Sequence, residues 1–173
     1  MIEIRRLDGA AALRSVSELA DVLVDCVEGG ASVSFMAPFP KSDAEAFFRK
    51  VADGVAASER ILIAAFSDGR IVGTVQVLTA MPPNQPHRAD VAKLLVTRAA
   101  RSQGIGRMLM EKAEAEAIAA GKTLLVLDTA SGHAERLYTH MGWTRLGVIP
   151  GYAYNPDGTL CDTVVFWKAL SAK

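Results

Sequence analysis

The stretch that decides the fold is Leu94-Leu95-Val96-Thr97-Arg98-Ala99-Ala100-Arg101-Ser102-Gln103-Gly104-Ile105-Gly106-Arg107. It reads as the end of an apolar strand, a turn and the start of a helix, with glycines where side chains would obstruct. Unpaired amides at a helix opening point outward, and the helix dipole adds positive potential there. A pyrophosphate can be held by such a turn largely through main chain, and Arg101 and Arg107 add positive charge. A Rossmann turn fits less well, because position 109 is Leu109 and the third glycine is missing. No G-x-x-x-x-G-K-[ST] triphosphate loop occurs in the chain. An ordinary helix start eased by two glycines would look the same, so the loop needs support from elsewhere.

Outward from this loop, the apolar periods describe alternating element types. Toward the N-terminus, Leu13, Val16, Leu19, Leu23 and Val27 fall three and four apart, the stripe of a helix over residues 13–28 that Gly29 and Gly30 stop. After a proline-bearing loop, Ser42 and Glu45 have capping-box spacing, and Ala44, Phe47, Phe48, Val51 and Val55 form the stripe of a second helix. Residues 60–66 and 71–79 read as a hairpin around Ser67-Asp68-Gly69-Arg70. Residues 88–97 read as a strand and residues 106–120 as a helix that Gly121 ends. Residues 123–129 are almost wholly apolar, as in a central strand covered on both faces. Ala134, Leu137, Tyr138 and Met141 mark a short helix, and two late strands flank Asn155-Pro156-Asp157-Gly158. The expected fold is α/β, a mixed sheet with helices on both faces.

At 173 residues the chain is expected to form one domain over 1–173. Half of it is hydrophobic and 22% charged, which excludes a disordered chain. Nineteen Lys and Arg balance nineteen Asp and Glu, so no overall field recruits nucleic acid or an anionic membrane. No apolar run reaches the ~18 residues of a bilayer span, and the N-terminus lacks the apolar region of an export signal. Cys26 and Cys161 are far apart, with no Cys-x-x-Cys spacing. They indicate neither a zinc ribbon nor a disulfide framework, which fits a reducing, cytoplasmic location. His133 and His140 are seven apart but have no carboxylate or thiol ligands nearby, so no metal site is expected.

Two ordered motifs carry a resemblance. Arg101-x-x-Gly104-x-Gly106 after an apolar strand resembles the Q/R-x-x-G-x-G/A signature of the GNAT superfamily of N-acetyltransferases. The run from Ala134 through Leu137 and Tyr138 to Gly142 and Trp143 is similar to that family's A-x-x-L-Y-x-x-x-G-F/W segment. The element order over residues 1–170 follows the same family. The resemblance implies a GNAT-like, mostly antiparallel central sheet and acetyl-CoA as donor. It implies that Arg101, Ser102, Gln103, Gly104, Ile105, Gly106 and Arg107 hold the diphosphate, with pantetheine pairing against Leu94, Leu95 and Val96. Many members carry Asn seven residues before the motif tyrosine, where this chain has Ser131. Within the family the likeness is to members that confer toxin resistance, through GGASVSFM, RADVAKLLV, LDTASG and PGYAYNPDG.

Acetyl transfer to an amine needs a polarised thioester, a neutral nucleophile and a proton for the leaving thiolate. Backbone amides near Leu94 to Val96 suit the developing oxyanion. A protonated amine must lose a proton, and Asp90 and Asp128, in strands otherwise apolar, are the candidate carboxylates. Tyr138, with an ordinary pKa of ~10, suits the general acid, although it also belongs to an apolar stripe. No G-x-S-x-G occurs and Cys26 sits within an amphipathic helix, so direct transfer is expected rather than an acyl-enzyme. Ser32, Phe35 and Met36 in the first interhelical loop, with Tyr152 and Asp90, are the expected acceptor pocket. The expected activity is that of an acetyl-CoA-dependent N-acetyltransferase for a small-molecule amine of the toxin or antibiotic kind, acting as a monomer or homodimer. A housekeeping amino-acid or polyamine acetyltransferase, a non-catalytic acyl-CoA-binding module and, less favoured, a nicotinamide-dependent oxidoreductase stand as alternatives.

Overall fold

The computed structural model describes residues 1–130 and 132–171. Its elements in chain order are β1 (Ile2–Leu7), α1 (Gly9–Arg14), α2 (Val16–Glu28), α3 (Lys41–Ala56), β2 (Arg60–Ser67), β3 (Arg70–Leu78), β4 (Arg88–Val96), α4 (Ile105–Ala119), β5 (Leu124–Thr129), α5 (Gly132–His140), β6 (Thr144–Tyr154) and β7 (Leu160–Ala169). The strands form one sheet in the order β1-β2-β3-β4-β5-β7-β6. Only the β4–β5 pair is parallel; every other neighbouring pair is antiparallel.

Two cores explain why β2 is a continuous apolar run. Leu62 and Ala64 face α1, α2 and α3, packing with Leu19, Leu23, Phe48 and Val51. Ile61, Ile63 and Ala65 point the other way, into a core with Ile105, Leu109, Met110 and Phe166. A strand sandwiched in this way has no face left for polar residues. β5 departs from the expected double cover. Leu125 and Leu127 are buried on the α4 side, whereas Leu124 and Val126 are only partly buried. α2 and α3 pack on β2, β3 and β4, α1 packs on β1, and β5 is left less covered.

Three N-terminal features differ from the sequence reading. β1 pairs antiparallel with β2, and its alternation places Ile2 and Ile4 against a core while charged residues intervene. The helix expected over 13–28 is two helices, broken at Ser15, and Leu13 is 56% exposed. The short α1 instead buries Ala12 and is capped by Asp8, whose carboxylate accepts from the Ala11 amide at 2.7 Å. The capping box at Ser42 does not form. Pro40 occupies the cap, α3 starts one residue before Ser42, and Glu45 accepts a hydrogen bond from Arg49 at 3.1 Å. The late hairpin forms as expected around Asn155 to Gly158, with the Gly158 amide donating to the Asn155 carbonyl at 2.9 Å. Among the described residues, no helix is long and apolar enough to cross a membrane.

Candidate active site

β4 and β5 pair only where Arg88, Ala89 and Asp90 meet Leu124, Leu125 and Val126. Beyond that point β4 continues to Val96 and β5 to Thr129 with no ladder between them. A bulge on β4 accompanies the separation. Thr74 and Gln76 of β3 oppose Leu95 and Ala92, so β4 spends one more residue than β3 over this interval. Lys93 absorbs the difference with a φ of 54°. Bulges increase local twist and re-aim side chains. The gap is a cleft of about 1020 Å³ lined by β4 residues 91–96, the starts of α4 and α5, the loop after α2 and the β6–β7 hairpin.

The glycine loop forms part of this cleft. Gly104 has φ 76° and ψ 3°, a left-handed conformation that glycine adopts without the cost other residues bear. A Cβ built there would meet nothing within 4 Å, so the space before α4 is open. α4 has no side-chain cap, leaving its first-turn amides for a ligand or water. The loop is pinned from behind, where the Asp25 carboxylate accepts from the Arg98 amide at 2.7 Å and from Arg98 Nε at 2.9 Å. Arg101 Nε donates to the Val96 carbonyl at 3.2 Å, and Arg107 Nε pairs with Glu111 at 2.8 Å. Gly106 permits a close approach of α5, since a Cβ there would lie 3.4 Å from Leu137 Cδ2.

That approach brings Tyr138 into the wall of the cleft. Its ring packs 5.9 Å from Trp143 and 5.6 Å from Phe166, and the residue is 5% exposed. Burial, with a smaller contribution from the charge of Asp128, pushes its phenol well above the ordinary tyrosine range. Tyr138 therefore belongs to the core stripe and also lines the cleft. Asp128 lines the same cleft, and its Oδ2 accepts from the hydroxyl of buried Thr163 at 2.8 Å. A protonated phenol and a hydrogen-bonded carboxylate thus share one cavity with an uncapped helix start.

Comparison with known proteins decides what this arrangement belongs to. The sequence profile described as the acetyltransferase (GNAT) family matches residues 30–143. The chain belongs to that family. Solved structures share its fold. An acetyltransferase of the GNAT family from Streptococcus pneumoniae is 22% identical, with 98% of this chain and 100% of that one covered and a TM-score of 0.76. The protein yncA from Salmonella typhimurium, solved with its cofactor acetyl-CoA, is 16% identical over 100% and 96% of the chains, with a TM-score of 0.81. A GNAT superfamily phosphinothricin acetyltransferase from Sinorhizobium meliloti, in complex with AcCoA, is 16% identical over 98% and 89%, with a TM-score of 0.78.

In this GNAT acetyltransferase the structure gathers most of the sequence candidates. Leu94, Leu95, Val96, Arg101, Ser102, Gly104, Ile105, Gly106, Arg107, Asp128 and Tyr138 all line the cleft. So do Ser32, Phe35, Met36 and Tyr152. Phe35 also stacks on Phe39 and Phe47 at 4.5 and 5.3 Å, which fixes the loop that carries it. Gln103 and Asp90 are not among the lining residues. Asp90 is ion-paired with Arg88 on the same face of β4, in the segment that still pairs with β5. It therefore stands outside the wall of the cleft, on the stretch of β4 that has not yet separated from β5. Ser131 lies outside the described residues. The glycine loop follows the fourth strand of a mostly antiparallel sheet, which excludes the Rossmann alternative.

Lys93, His133, Cys161, Asp162 and Thr163 also line the cleft, although the sequence offered His133 only as a metal ligand and Cys161 only as a disulfide or zinc residue, and gave the other three no role. A single lysine inside RADVAKLLV was the available signal for Lys93, since a charge in a strand otherwise apolar needs a partner or a purpose. Cys26 also lines the cleft and donates to the Val96 carbonyl at 3.5 Å, but burial raises its thiol pKa, which argues against a nucleophile.

Proposed function

We propose that this protein transfers the acetyl group of acetyl-CoA directly to the amine of a small molecule. The observation that carries the reading is the meeting of Tyr138, Asp128 and the uncapped start of α4 on one cleft where β4 and β5 part. The residues present fit the donor. Open space at Gly104 and free first-turn amides suit a diphosphate, with Arg101 and Arg107 beside them. The β4 main chain over 91–96 has no β5 partner and is available to an extended pantetheine chain. When bound, acetyl-CoA supplies an activated acetyl group and a thiolate leaving group.

The chain's own residues meet the remaining demands. Asp128 accepts the proton that an ammonium must lose before it can attack, and Thr163 holds the carboxylate in place. Tyr138 keeps its proton, because burial and the Asp128 charge both oppose the phenolate, and gives it up to the departing sulfur. Unpaired amides of β4 bind the developing oxyanion. The ammonium gives up two protons on becoming an amide: the one taken by Asp128 before attack passes on to solvent, and the one lost from nitrogen after attack replaces the proton that Tyr138 has given to the thiolate.

The acceptor is proposed to be a small amine of the toxin or antibiotic kind. GGASVSFM, RADVAKLLV, LDTASG and PGYAYNPDG are the stretches in which the sequence resembles tabtoxin resistance protein. Of these, Gly29 to Met36, Val91 to Val96, Asp128 to Ala130 and Tyr152 to Asn155 line the cleft, so each stretch contributes to its wall. The test is incubation with acetyl-CoA and a panel of small amines, following free thiol. Amine-dependent release of CoA supports the reading. Tight CoA binding with no release for any amine would replace it with a non-catalytic acyl-CoA-binding module, and a best substrate among polyamines or common amino acids would favour the housekeeping alternative.

A further inference from the structure

Lys93 sits at the bulge of β4, at φ 54°, and lines the cleft. The mechanism above leaves it unused. It is partly buried, and its Nζ donates to Ser34 Oγ at 2.9 Å. Among the described residues it makes no ion pair; the lysines that do are Lys41, Lys112 and Lys168. The bulge accounts for this placement: the extra residue breaks the strand's alternation and turns a charged side chain toward the cavity instead of leaving it to alternate with its neighbours. Burial lowers the lysine's pKa and the charge of Asp128 offsets that in part, so the ammonium lies within the field of Asp128 without contacting it. A partly buried cation whose side-chain partner is a neutral hydroxyl keeps charge available for an anion that enters the cleft.

The other cations of the cleft are accounted for. Arg101 and Arg107 stand at the start of α4, beside the free amides assigned to a diphosphate. Lys93 stands apart from them on β4, with Ser34 of the loop after α2 and within the influence of Asp128. This region therefore presents Asp128 and Lys93 as an anion and a cation that form no ion pair with each other, while the second cleft carboxylate, Asp162, accepts from the Gly151 amide at 2.8 Å. A ligand carrying both an ammonium and an anionic group is complementary to such a pair.

We propose that Lys93 is a specificity-determining residue that binds the carboxylate of a zwitterionic, amino-acid-like acceptor whose amine faces Asp128. The inference rests on the acetyl-transfer reading and narrows its substrate class. A structural role alone, pinning the Ser34 loop, makes a different prediction.

The experiment compares the full-length protein on matched pairs, each an amino acid and the amine left by its decarboxylation, with acetyl-CoA saturating. Wild type is expected to favour the carboxylate-bearing member of its best pair by about 10- to 100-fold in kcat/KM, the range of a hydrogen-bonded charge contact. Lys93→Met brings that ratio close to one, chiefly through the acceptor KM, while Lys93→Arg retains a preference. Ser34→Ala, which cuts the loop contact and keeps the charge, retains it as well. Thermal melts of the Lys93 variants establish that they are folded. A ratio near one in wild type, a preference that survives Lys93→Met, or a loss in Ser34→Ala equal to that in Lys93→Met would overturn the assignment of Lys93 while leaving acetyl transfer intact. Absence of turnover with every amine would overturn the reaction itself, and this inference with it.

Discussion

Placing a side chain at Gly104 separates the cost of strain from the cost of blocking the cleft. An alanine there must adopt φ 76°, a conformation that costs an L residue about 1–2 kcal/mol. Nothing lies within 4 Å of the new Cβ, so no clash adds to that figure. For a chain of this size the strain lowers Tm by roughly 2–8 °C. Gly69, in the β2–β3 turn at φ 80° with equally open surroundings, supplies the control: Gly69→Ala incurs the same strain far from the cleft. The two variants should therefore melt alike and differ in binding. At position 104 the methyl group enters the space assigned to the diphosphate, where each hydrogen bond to a charged group is worth about 1.5–3 kcal/mol. Loss of one such contact weakens CoA about 10- to 100-fold, and Gly104→Glu, which adds a negative charge, should abolish measurable binding. Calorimetric titration with CoA reads the effect directly. If Gly104→Ala and Gly104→Glu both bind within threefold of wild type, the helix-mouth assignment is wrong whatever the enzyme's activity.

Tyr138→Phe preserves the packing on Trp143 and Phe166 and removes only the hydroxyl, so kcat should fall about 10²- to 10⁴-fold with little change in the acetyl-CoA KM; an unchanged kcat where chemistry limits turnover refutes the acid role. Asp128→Asn should remove the limb of the kcat/KM pH profile that reports the base, whereas Asp90→Asn, altering a group paired with Arg88 outside the cleft, should leave that limb in place. The opposite pattern would exchange the two assignments. For Asp25, burial raises the carboxyl pKa, but hydrogen bonds from the Arg98 amide and side chain and the charges of Arg98 and Arg101 outweigh it and hold the value below the ordinary range. A depressed folded-state pKa contributes stability that is present above the unfolded value of ~3.9 and is lost as pH falls through the folded one. The Tm advantage of wild type over Asp25→Asn should therefore be full at pH 6 and shrink below about pH 4; a difference independent of pH would show that the contact is not ionic.

What the sequence revealed depended on the range of the interaction concerned. Periodicity is local, so β2, β3 and β4, the helix after the glycine loop and the Asn155 turn were all legible. α1 and α2 merged in the reading because Leu13 kept the stripe in phase, and only the packed structure shows that it faces water. β1 was overlooked for a related reason: its charges are those of an edge strand, and its partner lies some sixty residues away. The glycine loop and Tyr138 were found because each sits in an ordered motif. Asp90 and Asp128 looked alike in sequence, each a carboxylate in or beside an apolar strand. Their difference is the point at which β4 leaves β5, and the pairing of two segments more than thirty residues apart is not encoded in either one.

The same point governs Lys93. Separating two parallel strands costs main-chain hydrogen bonds, and unpaired amides and carbonyls are tolerated only where water or a ligand takes their place. The fold accepts that cost along one stretch of β4 and puts there the extra residue that turns Lys93 toward the cavity. A strand kept in register with β5 through Val96 would have closed the cleft, left Asp128 without room for an amine, and returned Lys93 to the alternation of a covered strand. The bulge is therefore the structural feature on which both the proposed donor contact and the proposed acceptor selection depend, which is why the β4 main chain and the Lys93 side chain belong together.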